Sequence, residues 1–351
     1  MKHGLMYYLS LGGNNKNIGD YIQSIAADQF MHATELVERE HLHEYRGEKM
    51  KVILNGWFMH YPENFPPSED IVPLFISFHL RPRMADMLLT PATVAYMKAH
   101  GPVGCRDRTT VSILEARGIP AYFSSCLTLT LGRSFARAPA EKRHGVCFVD
   151  PIHCLNKWDA LRGLPWMVMH PVMTLRIFAK MQRQALKDKM LKFHVQTFLK
   201  LGAFLRIYMK LFTKRLLLDA EYYSHNVRER IFTDEKSKFD YCRQMLQRYA
   251  EAKFCVTCRI HCALPCVAIG TPVIFVESKN KDVGEGRFDG IRELFNMATI
   301  SHGLMKASFT FETDEPDGRI GANTRLGTTD KHLAAVAEMC RRCEEFAKGD
   351  A

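Results

Sequence analysis

Arg259 and His261 are the residues whose types and spacing most directly indicate chemistry. They stand two apart in the string Arg259-Ile260-His261, which follows a short apolar run that begins at Phe254. Residues two apart on an extended chain project to the same side, so both side chains are predicted to face one cleft. A guanidinium binds carboxylates and phosphates through paired hydrogen bonds, and an imidazole exchanges protons near neutral pH. The spacing therefore suits catalysis on a small anion, with a purely structural Arg–His pair as the alternative.

A strand-helix-strand unit must position this pair. Helix-compatible sequence follows His261 and ends at Gly270, and residues 272–277 are predicted as a second buried strand that ends at Glu277. Pro265 fits a helix only in its first turn, which places the helix start close to His261. The N-terminus of that helix would add a further attraction for an anion.

Polar side chains also end the strands predicted in the first half of the chain, at 52–58, 74–80 and 102–105. Ligands of an open parallel sheet gather at the carboxyl ends of its strands. His79 could equally be a buried core histidine, and Arg106 could pair with Asp107 to fix a turn. The candidates that this rule selects are Asn55, Trp57, Ser77, His79 and Arg106.

A glycine- and asparagine-rich loop, residues 12–20, connects a first strand predicted at 5–11 to a helix predicted at 21–30. Asp20 is predicted as the N-cap of that helix. The loop matches neither of the common nucleotide-binding glycine patterns, so a nucleotide site is disfavoured. A simple capped turn is the alternative to a ligand-binding loop.

The chain of 351 residues is long enough for two domains. Strands alternate with helices, which predicts an α/β fold with Rossmann-like sheets. The Ala-, Pro- and Arg-containing stretch 132–144 is predicted as a linker, so we place the domains at 1–138 and 139–351, the latter ending in a helix at 330–348.

The positive charge is concentrated in one segment. Residues 156–219 contain 13 Lys or Arg and 3 Asp or Glu, which accounts for the whole net charge of +10. Such a local excess argues against a nucleic-acid-binding protein. Apolar residues recur at helical spacing over 193–212, so this insertion is predicted to lie on an anionic membrane surface, or alternatively to be a packed helical insertion with a solvated basic face.

The cysteines and the apolar runs limit the class of protein. Eleven cysteines, an odd number scattered through apolar runs, indicate buried thiols of a reducing compartment, hence a cytoplasmic protein. The C-x-x-C pairs fall on a predicted strand and helix, so no metal site is expected. The sequence shows neither a signal peptide nor an apolar run of about 18 residues, and we expect no membrane span.

The Arg259-Ile260-His261 string with its flanking strands, and the element Gly104-Cys105-Arg106-Asp107, resemble motifs of the polysaccharide pyruvyl transferase family. Asn17, Gly19 and Asp20 match an Asn-x-Gly-Asp of that family, and His225 stands where relatives carry a histidine. The resemblance implies two Rossmann-like domains that face a cleft, the arrangement called GT-B.

The resemblance also implies a reaction. The family transfers an enolpyruvyl unit from phosphoenolpyruvate, a donor substrate, to two sugar hydroxyls, and no separate cofactor is implied. His261 would be the general acid and base, with Arg259 and Arg106 gripping the donor. The expected substrate-binding residues are Asn17, Gly19, Asp20, Asn55, Trp57, Ser77, His79, His225 and Glu277.

The expected partner is a sugar acceptor, with a polyprenyl diphosphate carrier as one form of it. The basic segment would then hold the protein at the inner face of a membrane. Two alternatives remain open at this point, namely a GT-B glycosyltransferase that uses a nucleotide sugar and a non-catalytic glycan- or membrane-binding protein. No particular oligomer is predicted.

Overall fold

The computed structural model describes residues 1–8, 15–187, 195–228, 232–279, 286 and 288–349. Within these residues the chain forms two six-stranded sheets that are largely parallel, with helices packed on them. The strands are β1 Lys2–Tyr7, β2 Asn15–Asn17, β3 Glu35–Glu38, β4 Met50–Trp57, β5 Ile71–His79, β6 Val103–Cys105, β7 Ala121–Phe123, β8 Cys147–Val149, β9 Glu221–Tyr223, β10 Asn226–Arg228, β11 Cys255–Thr257, β12 Val273–Ser278, β13 Asn296–Ser301, β14 Leu304–Ala307, β15 Phe311–Glu312 and β16 Arg325–Leu326.

The α-helices connect and cover these strands. They are α1 Ile18–Met31, α2 Ala85–Leu88, α3 Pro91–Ala99, α4 Arg108–Glu115, α5 Lys157–Met169, α6 Pro171–Lys187, α7 Val195–Tyr208, α8 Lys214–Asp219, α9 Glu235–Glu251, α10 Ile260–Ile269 and α11 Leu333–Lys348.

Both sheets have the strand order of open α/β folds. The first sheet runs β3-β1-β4-β5-β6-β7 and all its pairings are parallel. The second runs β14-β13-β12-β11-β8-β9, and only β14 is antiparallel to its neighbour. The predicted α/β class with Rossmann-like sheets is therefore confirmed.

The two halves of the chain are joined by backbone pairing and by apolar packing. Strand β2 of the first half pairs antiparallel with β10 of the second, with Asn17 opposite Asn226. Helix α1 packs on α9, where the rings of Tyr21 and Phe239 lie edge to face at 5.2 Å. One hydrophobic cluster consequently runs from the first sheet into α9, α10 and the near side of the second sheet.

The C-terminal helix α11 is confirmed, and it returns to the first half of the chain. Lys51 of β4 donates to the backbone carbonyl of Phe346 over 2.8 Å, and Arg133 pairs with Glu344 at 2.8 Å. The helix thus packs against the first half of the chain, although it follows the second sheet in sequence.

A second hydrophobic cluster lies on the other side of the second sheet, under the basic insertion. Leu201, Phe204, Leu205, Tyr208 and Phe212 are all buried in it. The apolar face of α7 therefore covers the sheet, as the alternative of a packed helical insertion predicts, and membrane contact by other parts of 156–219 stays a prediction. The part of the prediction at 188–194 lies outside the described residues.

The prediction that Asp20 caps the first helix needs correction. Helix α1 begins at Ile18, and its N-cap is Asn17, whose side chain accepts from the amide of Gly19, so Asp20 sits inside the first turn. Two further segments, Leu127–Arg133 and Arg292–Leu294, form 3₁₀ helices.

Candidate active site

A cleft of about 800 Å³ lies between the carboxyl ends of the two sheets. From the first sheet it is lined by Trp57 at the end of β4 and by Arg106 just after β6. From the second sheet it is lined by the Arg259–His261 string after β11 and by Glu277 in β12. Ligands of a parallel sheet gather at the carboxyl ends of its strands, which we call the strand-end rule. This rule explains why groups distant in sequence meet here.

Arg259 is the N-cap residue of α10, in an extended conformation that turns its side chain into the cleft. Its Nε donates to Oδ2 of Asp150 over 2.6 Å, and Nη2 lies 3.4 Å from Nδ1 of His153. Burial alone would raise the pKa of Asp150, but the charge of Arg259 lowers it to about 2. The carboxylate therefore stays ionised and fixes the guanidinium.

Asp150 also organises the neighbouring backbone. Its carboxylate accepts from the Ser224 hydroxyl at 2.7 Å and from the amide of His225 at 3.1 Å. Its φ of 51° lies in the left-handed region, which is strained for a residue with a side chain. Sequence reasoning missed this residue, although the strand-end rule applies to it, since it directly follows β8.

His261 lies in the first turn of α10 and is only 7% exposed. Helix α1 of the first half approaches it closely, because a Cβ atom added at Gly19 would lie 2.9 Å from its Nδ1. The glycine of the Asn17-x-Gly19-Asp20 string is thus required by contact between the two halves of the chain.

Arg106 enters the cleft from the opposite wall and is 3% exposed. Its amide donates to the carbonyl of Phe78, which ties it to β5, and its Nε lies 3.9 Å from Asp107. Among the residues that the structure describes, no group accepts a hydrogen bond from its Nε or Nη2. Burial lowers the pKa of Arg106 while Asp107 opposes that effect, and an arginine stays protonated at neutral pH.

His79 and Asp107 form the layer behind Arg106. Nδ1 of His79 lies 2.7 Å from Oδ2 of Asp107, and Asp107 caps α4 by accepting from the amide of Thr110 at 2.9 Å. Burial alone would raise the pKa of Asp107, but the hydrogen bond to His79 lowers it. This buried anion attracts the charge of Arg106 without accepting a hydrogen bond from its Nε.

Four predicted substrate-binding residues are not part of the cleft lining, namely Gly19, which lies against His261, and Asn55, Ser77 and His79. Asn55, Ser77 and His79 are each at most 2% exposed. Asn55 donates to the carbonyl of Gln23 at 2.9 Å, and the Ser77 hydroxyl accepts from the amide of Leu127 at 2.7 Å. They therefore lie behind the cleft lining, and their contact with substrate stays a prediction.

The remaining predicted residues surround the cleft. Asn17 and Asp20 line it from α1, and His225 lines it after β9, where its Nε2 lies 2.8 Å from the Tyr249 hydroxyl. Burial lowers the pKa of His225, which favours its neutral form. Glu277 is held by Arg292 at 2.6 Å.

The cleft is electropositive. Besides Arg106 and Arg259, the lining includes Arg81 and Arg83, which sequence reasoning missed, and only two carboxylates, Asp20 and Glu277, face it among the described lining residues. Arg81 follows β5 by two residues, so the same strand-end rule could have found it. The Arg81 guanidinium stacks 4.4 Å from the centre of the Trp57 ring.

Metal binding finds no support in the side chains that the structure describes, where no cluster of three or more His, Cys, Asp or Glu is arranged to hold an ion. All eleven cysteines are free thiols, and nine of them are buried. No described helix is long and apolar enough to cross a bilayer.

Comparison with curated proteins and with solved structures gives no significant match. The family model described as "Polysaccharide pyruvyl transferase" matches residues 86–280. This span is more than half of the chain, and it contains both Arg106 and the Arg259-Ile260-His261 string at the cleft. The protein therefore belongs to the polysaccharide pyruvyl transferase family.

Proposed function

We propose that the protein transfers an enolpyruvyl group from phosphoenolpyruvate to two hydroxyls of one sugar and so forms a pyruvate ketal. The observation that carries the proposal is that Arg106, Arg259 and His261, supplied by opposite walls, line a single cleft. Phosphoenolpyruvate carries a carboxylate and a phosphate, and each of these groups matches the fork of one guanidinium.

The donor is proposed to bind between the two arginines. Arg259 is already held by Asp150 through its Nε, and its remaining N–H groups would bind one anionic group of the donor. Arg106 is buried and keeps two nitrogens without acceptors in the described part of the chain, so an oxyanion placed there would satisfy them. A buried N–H group without an acceptor raises the free energy of the free protein. A substrate oxyanion that accepts from it removes this cost and so binds more tightly.

His261 is proposed as the group that moves protons. It would donate a proton to the methylene carbon C3 of phosphoenolpyruvate while one sugar hydroxyl bonds to C2. The C2–O bond to phosphate then breaks, phosphate leaves with the electron pair, and the second hydroxyl bonds to C2. Of the two hydroxyl protons, one restores His261 and the other leaves with phosphate, so atoms and charge balance.

The acceptor is proposed to lie against the α1 side of the cleft. Asn17, Asp20 and Trp57 line that wall and could bind sugar hydroxyls and the apolar face of a ring. His225 and Glu277 would border it from the second sheet. We propose that this sugar belongs to a polysaccharide precursor on a polyprenyl diphosphate, modified at the cytoplasmic face of a membrane, which the eleven free thiols favour.

The decisive assay measures phosphate release from phosphoenolpyruvate in the presence of a sugar acceptor. Nucleoside diphosphate release from a nucleotide sugar would instead indicate a glycosyltransferase. His261→Ala should lower turnover by about 10²-fold with the fold intact. The matched control is His41→Ala, since His41 is exposed on the surface; turnover of His261→Ala equal to that of the control would remove His261 from the mechanism.

The donor clamp is tested separately. Arg106→Lys keeps the charge and loses the fork, so we expect KM for phosphoenolpyruvate to rise by about tenfold. Arg117→Lys, at an exposed ion pair with Asp86, is the control and should leave KM unchanged. An unchanged KM in Arg106→Lys would show that the donor binds elsewhere.

A further inference from the structure

An apolar surface is exposed on the outer side of helices α5 and α6. Of the fourteen large apolar side chains that are exposed in the described residues, seven lie between 158 and 175. Trp158 is 60% exposed and Val168 is 80% exposed. We call this surface the α5–α6 face, and its apolar members are Trp158, Leu161, Leu164, Val168, Met169, Val172 and Leu175.

Packing on the opposite side of these helices holds the face outward. Gly163 of α5 meets α7 so closely that an added Cβ atom would lie 2.1 Å from the amide nitrogen of Ala203. On α6, Met173, Ile177 and Met181 are buried in the second hydrophobic cluster. The apolar residues of the α5–α6 face are therefore the side of each helix that the core leaves uncovered.

The charges beside the apolar residues have one sign. Lys157, Arg162, Arg176 and Arg183 are exposed on the same two helices. Asp159 is the sole acidic residue in the sequence of 157–187, and its side chain is buried in the N-terminal cap of α5. The face thus combines exposed apolar side chains with unopposed positive charge.

We propose that the α5–α6 face docks the protein on the surface of an anionic lipid bilayer. Apolar side chains would enter the boundary between headgroups and acyl chains, and the lysine and arginine residues would meet the lipid phosphates. A second copy of this chain fits less well, because pairing the face with itself would bring like charges together with no carboxylate to oppose them.

The face lies close to the cleft along the chain. His153 and Cys154 line the cleft, and α5 begins at Lys157. Even a fully extended chain spans no more than about 14 Å over the four residues from Cys154 to Trp158. A protein docked in this way would hold its cleft near the headgroups. The inference thereby deepens the proposed function, in which the acceptor is attached to a lipid.

Flotation of the full-length protein with vesicles tests the inference. We expect it to float with vesicles of equal parts phosphatidylcholine and phosphatidylglycerol and to remain behind with phosphatidylcholine alone. Leu175→Glu should lower the partition coefficient at least about tenfold, because it removes an exposed apolar side chain that would enter the bilayer and adds a negative charge. Leu333→Glu is the control, since Leu333 is 54% exposed against 57% for Leu175.

The basic residues are tested in the same assay. Arg176→Glu should reduce flotation by more than about tenfold, whereas Arg325→Glu, an exposed arginine on β16, should not. The inference would be overturned if the wild-type protein did not float with anionic vesicles. It would also be overturned if Leu175→Glu and Arg176→Glu floated as well as the wild type. A dimer in sedimentation that Leu175→Glu dissociates would overturn it too, since the face would then bind a second copy.

Flotation requires no turnover. Protein that floats but releases no phosphate from phosphoenolpyruvate would contradict the proposed function alone. Protein that turns over but does not float would contradict docking alone.

Discussion

Gly19→Ala should slow catalysis while it leaves the fold in place. The added Cβ atom would lie 2.9 Å from Nδ1 of His261 and 3.1 Å from Oδ1 of Asn17, whereas ordinary contacts begin at 3.4 Å. The imidazole must therefore move by about 0.5 Å or more to relieve the overlap. Gly19 is helical and its φ is not positive, so the backbone itself accepts alanine.

The magnitude follows from that displacement. Because a misplacement of about 1 Å can cost about 10²-fold in rate, a shift of about half that size should lower kcat by about tenfold. Alanine is better than glycine in a helix by about 1 kcal/mol, and overpacking costs about 1–3 kcal/mol, so the free energy of unfolding should fall by no more than about 2 kcal/mol.

The assay is steady-state phosphate release, with urea unfolding measured on the same preparation. KM for phosphoenolpyruvate should change less than kcat, because Arg106 and Arg259 keep their supports. Gly327→Ala is the matched control, since no atom lies within 4 Å of its added Cβ. A Gly19→Ala protein as active as this control would refute the reasoning that the position of His261 limits the rate.

Asp150→Asn should lower the free energy of unfolding by about 2 kcal/mol at pH 7, because the pKa of Asp150 is depressed to about 2. Its contribution is present above the ordinary pKa of 3.8 and is lost as pH falls toward 2, so urea midpoints of wild type and variant should converge there. Burial lowers the pKa of His225 from 6.5, so the neutral form stabilises the fold above pH 6.5 and this stabilisation is lost as pH falls. In thermal melts, His225→Asn should therefore reduce the fall of the melting temperature with falling pH. The control His41→Asn should leave that fall unchanged. Phe148→Ala should destabilise the second core by about 3–5 kcal/mol in urea titrations, and the exposed Leu304→Ala should not.

The parts of the site that were predictable from sequence follow local rules. Arg106, Trp57 and Arg259 each come at the end of an apolar run, and parallel sheets bring such ends together. Asp107 belongs to the residue types that favour the N-cap position, and it caps α4 directly after β6. These features depend on neighbours within a few residues, which is why spacing alone indicated them.

The parts that were not predictable depend on long-range packing. Periodicity showed that Phe204 and Tyr208 share a helical face, but it could not show that the second sheet covers that face. Helix α1 begins directly after β2, whose partner β10 comes more than two hundred positions later in the chain. Asn55 and Ser77 lie near the ends of their strands and still bind neighbouring protein groups, which position in a strand does not reveal.

The hydrophobic cluster shared by the two halves also bears on how such a protein can evolve. Residues of α1 and of α9 and α10 complete one another's packing, so neither half presents a finished surface without the other. If one half were exchanged between relatives, the residues of α1 that contact α9 and α10 would have to be exchanged together with their partners. Acceptor preference is therefore expected to diversify through substitutions around the cleft, and separate expression of residues 1–138 and 139–351 should yield poorly soluble fragments.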